Sequence, residues 1–210
     1  MVEMGKTIFP DFVHRNPSVN GLRLKIKGDY QDDVILNTAA DQFQILLGIL
    51  RAWRPIAGQR KDEIRPGIGL GSIRNEHGHQ LIKVGPAYTT SGSEVEAYAR
   101  QAKVACEGSW PFLRNALWLN GRRDRNAADF YMVYEYAVMD FGDKKKVTAA
   151  LDVTEKDLQR LKSSTNNLAP TDDGRHAKCS GTAEWSLDVQ KKFISDFIKK
   201  RIIYRAGNAA

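Results

Sequence analysis

From residue 93 onward the chain repeats one pattern: a capping residue, an apolar stripe at helical spacing, then a breaker. Ser93 with Glu96 forms a capping box, and Val95, Tyr98, Ala99, Ala102 and Ala105 follow at intervals of one and three. Trp110, Leu113, Ala116 and Leu117 continue after Gly108, and Asn120-Gly121 turns the chain. Asn126 caps the next helix, with Phe130, Val133, Tyr134, Ala137 and Phe141 as its stripe, and Gly142 stands where a left-handed C-cap glycine belongs. Two shorter helices, residues 143–151 and 154–164, come next. The last helix, residues 186–204, puts Val189, Phe193, Phe197 and Arg201 on one side, widened by Ile194, Ile198 and Ile202. Such a chain must bury several helical faces against one another. A doubly wound parallel sheet needs strands alternating with helices throughout, and that alternation is missing.

The first ninety residues read differently. Leu22, Leu24 and Ile26 alternate with Arg23, Lys25 and Lys27, the period of a half-buried strand. A helix capped by Asn37 or Thr38 carries Phe43, Leu46, Leu47, Leu50 and Trp53, with Ile45 and Ile49 beside them, and ends before Pro55. Residues 68–73 and 80–84 read as a hairpin around Glu76-His77-Gly78. The predicted fold class is therefore α+β, predominantly α-helical, with a small N-terminal antiparallel β element packed on a helical body. Residues 1–90 form the hairpin-plus-helix region and residues 91–210 the helical region, the alternative being one domain over 1–210. Phe43, Leu46, Leu50, Phe130, Tyr134, Phe193 and Phe197 are the predicted core.

Composition excludes several classes. At 42% apolar and 27% charged, the chain is neither disordered nor a disulfide scaffold. Its longest apolar run, residues 45–50, is too short to span a bilayer, so no membrane is expected. Residues 1–11 lack the apolar stretch of a signal peptide, and Cys106 and Cys179 have no ligand-spaced partner. The expected location is a reducing cytoplasm, with no metal and no cofactor. Residues 1–142 hold 18 Lys/Arg against 16 Asp/Glu, whereas residues 143–210 hold 14 against 9. A basic field of that kind attracts nucleic acid or other polyanions.

Four motifs bear on function. Across residues 146–161, Val147, Leu151, Val153, Leu158 and Leu161 occupy helix-turn-helix spacings, and Thr154 caps the second helix with Asp157 three residues on. Lys156, Gln159, Arg160 and Lys162 are then the nucleic-acid-binding candidates, since Gln and Arg reach base edges. Any two short packed helices give a similar pattern, and Asp152 stands where the turn usually holds Gly. In the loop Asn120–Asn126, Arg122, Arg123 and Arg125 precede a helix start, a favourable place for phosphate, opposed by Asp124 and Asp129. The glycines of residues 67–72 lack the strand and helix of a dinucleotide fingerprint. His77 and His79 alternate at ligand spacing without a third ligand.

Between the last two helices, Asn166, Asn167, Arg175 and His176 gather in a polar connection. An Arg-His pair beside Asn side chains suits anion binding or acid–base work, because His titrates near neutrality. Arg175, His176 and Asn166 are the catalytic candidates. The alternative is a structural loop tied by its own Asn and Asp side chains.

Thr165-Asn166, then Gly174-Arg175-His176-Ala177 and a long amphipathic helix, resemble the tail of uncharacterised bacterial and phage hypothetical proteins with a T-x-N…RHA ending, over the last fifty to sixty residues. The layout is also similar to the end of HEPN-type domains. Arg74-Asn75 and His79 match that family's Arg-Asn-x-x-x-His string as letters, and the likeness implies ribonuclease chemistry in a helical bundle. Arg175-His176 lacks the family's Arg-x(4–6)-His spacing. The expected function is a nucleic-acid-associated binding module with a basic helical C-terminal part. The alternatives are a nuclease-like helical enzyme using Arg175 and His176, and a protein-binding subunit whose contact is the last helix.

Overall fold

Local capping chemistry sets most helix ends. In the computed structural model the described residues are 32–53, 73–74, 80–82, 92–109, 111–122, 124–167 and 183–208. They form seven helices: α1 (Asp32–Trp53), α2 (Gly92–Ser109), α3 (Phe112–Gly121), α4 (Ala127–Phe141), α5 (Lys144–Leu151), α6 (Glu155–Asn167) and α7 (Leu187–Gly207). Asn126 accepts from the Asp129 amide while Asp129 accepts from the Asn126 amide, a complete capping box that starts α4. Gly142, at φ 90°, ends it in the left-handed conformation that costs glycine least. Asp143 and Ser186 cap α5 and α7 through the Lys146 and Val189 amides. α1 starts at Asp32, earlier than the predicted Asn37 or Thr38 cap, with two acids in a first turn that favours negative charge.

Among the described residues the fold is all-α, which corrects the α+β expectation. Beside the helices stand a two-residue strand β1 (Ile73–Arg74) and a three-residue strand β2 (Gln80–Ile82). They pair antiparallel, Ile73 with Ile82 and Arg74 with Gln80, across a register irregularity. Two rungs present no face wide enough to bury an apolar layer, for which about three strands are needed. The alternating strand read at Leu22–Ile26 lies outside the described residues.

Two compact units divide the chain: Met1–Gln42 with Arg60–Ala97, and Phe43–Gln59 with Tyr98–Ala210. β1 and β2 belong to the first. The core of the second is built from Leu46 and Ile49 of α1, Leu113 and Leu117 of α3, Phe130 and Val133 of α4, Leu151 of α5, Leu158 and Leu161 of α6, and Ile194, Phe197, Ile198 and Ile202 of α7. α2 contributes Ala99, Ala102, Ala105 and Cys106, all buried.

Leu46, Phe130 and Phe197 are buried as predicted, while Leu50, Tyr134 and Phe193 are half-buried. The Phe43 side chain lies outside the described residues. The buried face of α7 takes in Phe197 and Arg201 of the predicted stripe together with the isoleucines that widen it. Ile194, Ile198 and Ile202 face inward, and Val189 is exposed. Its apolar residues lie on two sides, so spacing alone does not choose a face. Inside, Arg201 bonds Asp140 of α4, and the Gln190 amide donates to the Trp185 carbonyl. These contacts hold the chosen rotation.

Candidate nucleic-acid interface

Residues 152–154 join α5 to α6 in a three-residue turn, within the three to four residues of a helix-turn-helix. Asp152 adopts φ 47°, ψ 55°, the left-handed conformation usually supplied there by glycine. Its amide and that of Val153 both donate to the Thr148 carbonyl, closing the end of α5. Lys200 of α7 donates to the Asp152 carbonyl at 2.9 Å and ties the turn to the body. Thr154 then caps α6: its hydroxyl accepts from the Asp157 amide at 3.0 Å and donates to Asp157 Oδ2 at 2.6 Å.

Burial sorts the two faces of α6. Leu158, Leu161, Ser164 and Thr165 point inward, and α6 packs on α4. Glu155, Lys156, Gln159 and Lys162 are exposed. Helical spacing puts Lys156 and Gln159 at the centre of the outer face, with Lys162 one turn further along. α5 packs on α4 and α7 and leaves Lys145 and Lys146 exposed.

Three of the four acids from Asp143 to Asp157 that flank the turn are engaged within the segment, and the exposed Asp152 carboxylate is not. Glu155 pairs with Lys144 at 3.3 Å, linking α5 to α6. Asp157 holds Thr154, and Asp143 caps α5 and lies 3.9 Å from Lys146. Arg160 pairs with Glu184 at 3.1 Å, so it is partly withdrawn from the outer face. Lys145, Lys156, Gln159 and Lys162 make no side-chain hydrogen bond or ion pair among the described residues. Lys144, Lys145 and Lys146 also fill the first turn of α5, where the helix dipole disfavours cations.

The arginines of the Asn120–Asn126 loop do different work. Arg122 pairs with Asp129 at 2.8 Å and with Asp124 at 3.1 Å. Arg125 donates to Asn120 Oδ1 at 2.6 Å. Burial pushes the Asp129 carboxyl up, against the pull of the Asn126 amide and Arg122. The start of α4 is filled by its own capping box, which takes the place an anion would hold. Arg123 lies outside the described residues.

A second cluster was invisible to sequence reasoning. Arg201 is fully buried, donates through Nε to Asp140 Oδ2 at 3.0 Å, and brings Nη2 to 2.9 Å from the same oxygen at an angle too poor for a hydrogen bond. Arg205 grips the same carboxylate, with Nη2 2.8 Å from Oδ1, and stacks over the Phe141 ring at 4.5 Å. Burial pulls Arg201 down to about 10, opposed by Asp140. Burial likewise pushes the Cys106 thiol up to about 12, against the fields of Arg201 and Arg114. A thiol so held is no nucleophile. A cation on the predicted stripe of α7 was the available signal, but nothing local marks its partner 61 residues away.

Asn166 sits in the last turn of α6, half-buried, with Oδ1 buried and unpartnered among the described residues. Arg175 and His176 lie outside the described residues, as do His77, His79, Cys179 and residues 67–72. Among the described residues no three His, Cys, Asp or Glu side chains converge to hold a metal. No described helix is long and apolar enough to cross a membrane. The inward face of α7 is spent on its own core, and outside, charged Lys192 and Asp196 separate the exposed Val189 and Ile203. Compared with protein-family models, curated proteins and solved structures, the chain matches none of them.

Proposed function

We propose that this chain is a nucleic-acid-binding module whose contact surface is α5, the 152–154 turn and the outer face of α6. The observation that carries the reading is Asp152 in the left-handed conformation at the head of a three-residue interhelical turn. It supports a helix-turn-helix arrangement in which α6 projects Lys156, Gln159 and Lys162 while α5 exposes Lys145. The lysines in the first turn of α5 support it too, because an external polyanion offsets their unfavourable dipole interaction. The buried free thiol of Cys106 fits the reducing cytoplasm in which we place the protein.

The test is fluorescence anisotropy with labelled oligonucleotides at about 50 mM salt, repeated at about 200 mM. Phosphate contacts release counterions, so each lysine that touches phosphate contributes roughly 0.9 to the slope of log affinity against log salt. The triple variant Lys145→Glu, Lys156→Glu, Lys162→Glu is expected to keep its fold and lose binding. Wild-type protein that binds no oligonucleotide at low salt, or a triple variant that binds as tightly, overturns the reading.

A further inference from the structure

We infer that the polyanion is duplex DNA, entered through its major groove by α6, with Gln159 reading a base edge. This rests on the proposed function and narrows it to one nucleic-acid class.

Three observations point there. The first is shape. Thirteen helical residues span about 20 Å. A helix fits the B-form major groove, about 12 Å wide, whereas the corresponding groove of A-form RNA is too deep and narrow for side chains to read.

The second is composition. Single strands are held by stacking bases on aromatic rings. Between Phe141 and Trp185 the chain contains no Phe, Tyr or Trp. The whole α5–α6 segment therefore offers no stacking platform, only cations and hydrogen-bonding groups.

The third is the division of labour on the outer face. Lys156 and Lys162 are point charges suited to phosphates on either side. Gln159 lies between them, exposed, with no intramolecular partner among the described residues. A glutamine in a major groove can pair with adenine N6 and N7 through both ends of its amide. Arg160, the other side chain able to read an edge, is drawn aside by its pair with Glu184 through Nε. The structure thus assigns Gln159, not Arg160, as the specificity-determining residue.

The experiment compares equal-length duplex DNA, single-stranded DNA, single-stranded RNA and duplex RNA by anisotropy at one salt concentration, and then selects a randomised duplex DNA pool on the full chain. Duplex DNA is expected to bind at least about tenfold tighter than the other three. Binding should vanish in the triple lysine variant. Selection should enrich adenine at one position, and Gln159→Ala should flatten that position, with a discrimination loss on the order of ten- to a hundredfold. Single strands or RNA binding as tightly as duplex DNA, with the same lysine dependence, overturn this inference and leave the proposed function standing. No binding to any probe overturns the proposed function itself. Enrichment that is absent, or unchanged by Gln159→Ala, removes Gln159 from its role.

Discussion

Gly48 of α1 lies against Leu117 of α3 so closely that a Cβ at Gly48 would overlap the Leu117 carbonyl. Gly121 meets Gln44 in the same way, in the opposite direction. The contact is sealed by polar bonds: Asn120 Nδ2 donates to the Gly48 carbonyl at 2.9 Å, Gln44 Nε2 to the Trp118 carbonyl at 3.2 Å, and Arg51 to the Asn120 carbonyl at 2.9 Å. On an open helix Gly→Ala gains about 1 kcal/mol of propensity. At Gly48 and Gly121 the obstacle is backbone, which cannot rotate aside. Each Gly→Ala change there is expected to cost about 1–3 kcal/mol in urea unfolding. Gly207→Ala, with nothing within 4 Å of its Cβ position, is the control and should be neutral or mildly stabilising.

Asp140 and Arg201 are not equal partners. Removing Asp140 leaves two guanidinium groups facing each other, one of them fully buried. Asp140→Ala should therefore cost about 3–5 kcal/mol. Arg201→Met leaves Asp140 held by Arg205 and replaces a buried charge, already strained by desolvation, with an apolar chain. It should fall within about 1 kcal/mol of wild type. Equal losses from both substitutions in chemical denaturation would mean that Arg201 earns its burial.

Local signals made most helix ends legible. Asn126, Gly142 and Thr154 act within three or four residues of themselves, and each is found doing what its position requires. Lys156, Gln159 and Lys162 were readable for the same reason, since a helical period separates an inward Leu158 and Leu161 from their outward neighbours. What stayed hidden depends on residues far away in the chain. Arg160 meets Glu184, 24 residues on, and Arg51 meets carbonyls about 70 residues away. Gly48 sits inside a helix with no local signal for a glycine, and the close approach of α3 is what requires it. Lys200 meets the Asp152 carbonyl 48 residues away.

Burial pushes the Cys106 thiol of the folded chain up to about 12, from 9.0 when exposed. Between those values the unfolded chain has lost the proton that the folded chain keeps. Its stabilising contribution is thus complete below pH 9 and is lost as pH rises towards 12. The stability difference between wild type and Cys106→Ala, measured by denaturant titration, should decline across that window by up to about 1.4 kcal/mol per pH unit. In a Cys179→Ser background, alkylation at pH 8.5 should be slow in native buffer and fast in guanidinium. Rapid native labelling would show that burial does not protect this thiol.

The turn at Asp152 offers the sharpest separation between backbone conformation and side-chain chemistry. Its φ of 47° is costly for any residue with a Cβ, by roughly 1–2 kcal/mol, and glycine escapes that cost. Asp152 is exposed, and only its backbone is engaged, the amide by the Thr148 carbonyl and the carbonyl by Lys200. Asp152→Gly should therefore leave stability unchanged or raise it by up to about 1 kcal/mol, relieved strain being offset by the greater freedom of the unfolded chain. Asp152→Val should lower it by about 1–2 kcal/mol, because a β-branched residue resists positive φ most. The same pair of variants reports on the interface. If the turn's conformation positions α6, Asp152→Gly should retain oligonucleotide affinity, or improve it by removing one negative charge. Asp152→Val should weaken affinity at temperatures where the protein is still folded. A valine variant as stable and as tightly binding as wild type would show that the left-handed turn is not what holds α6 in place.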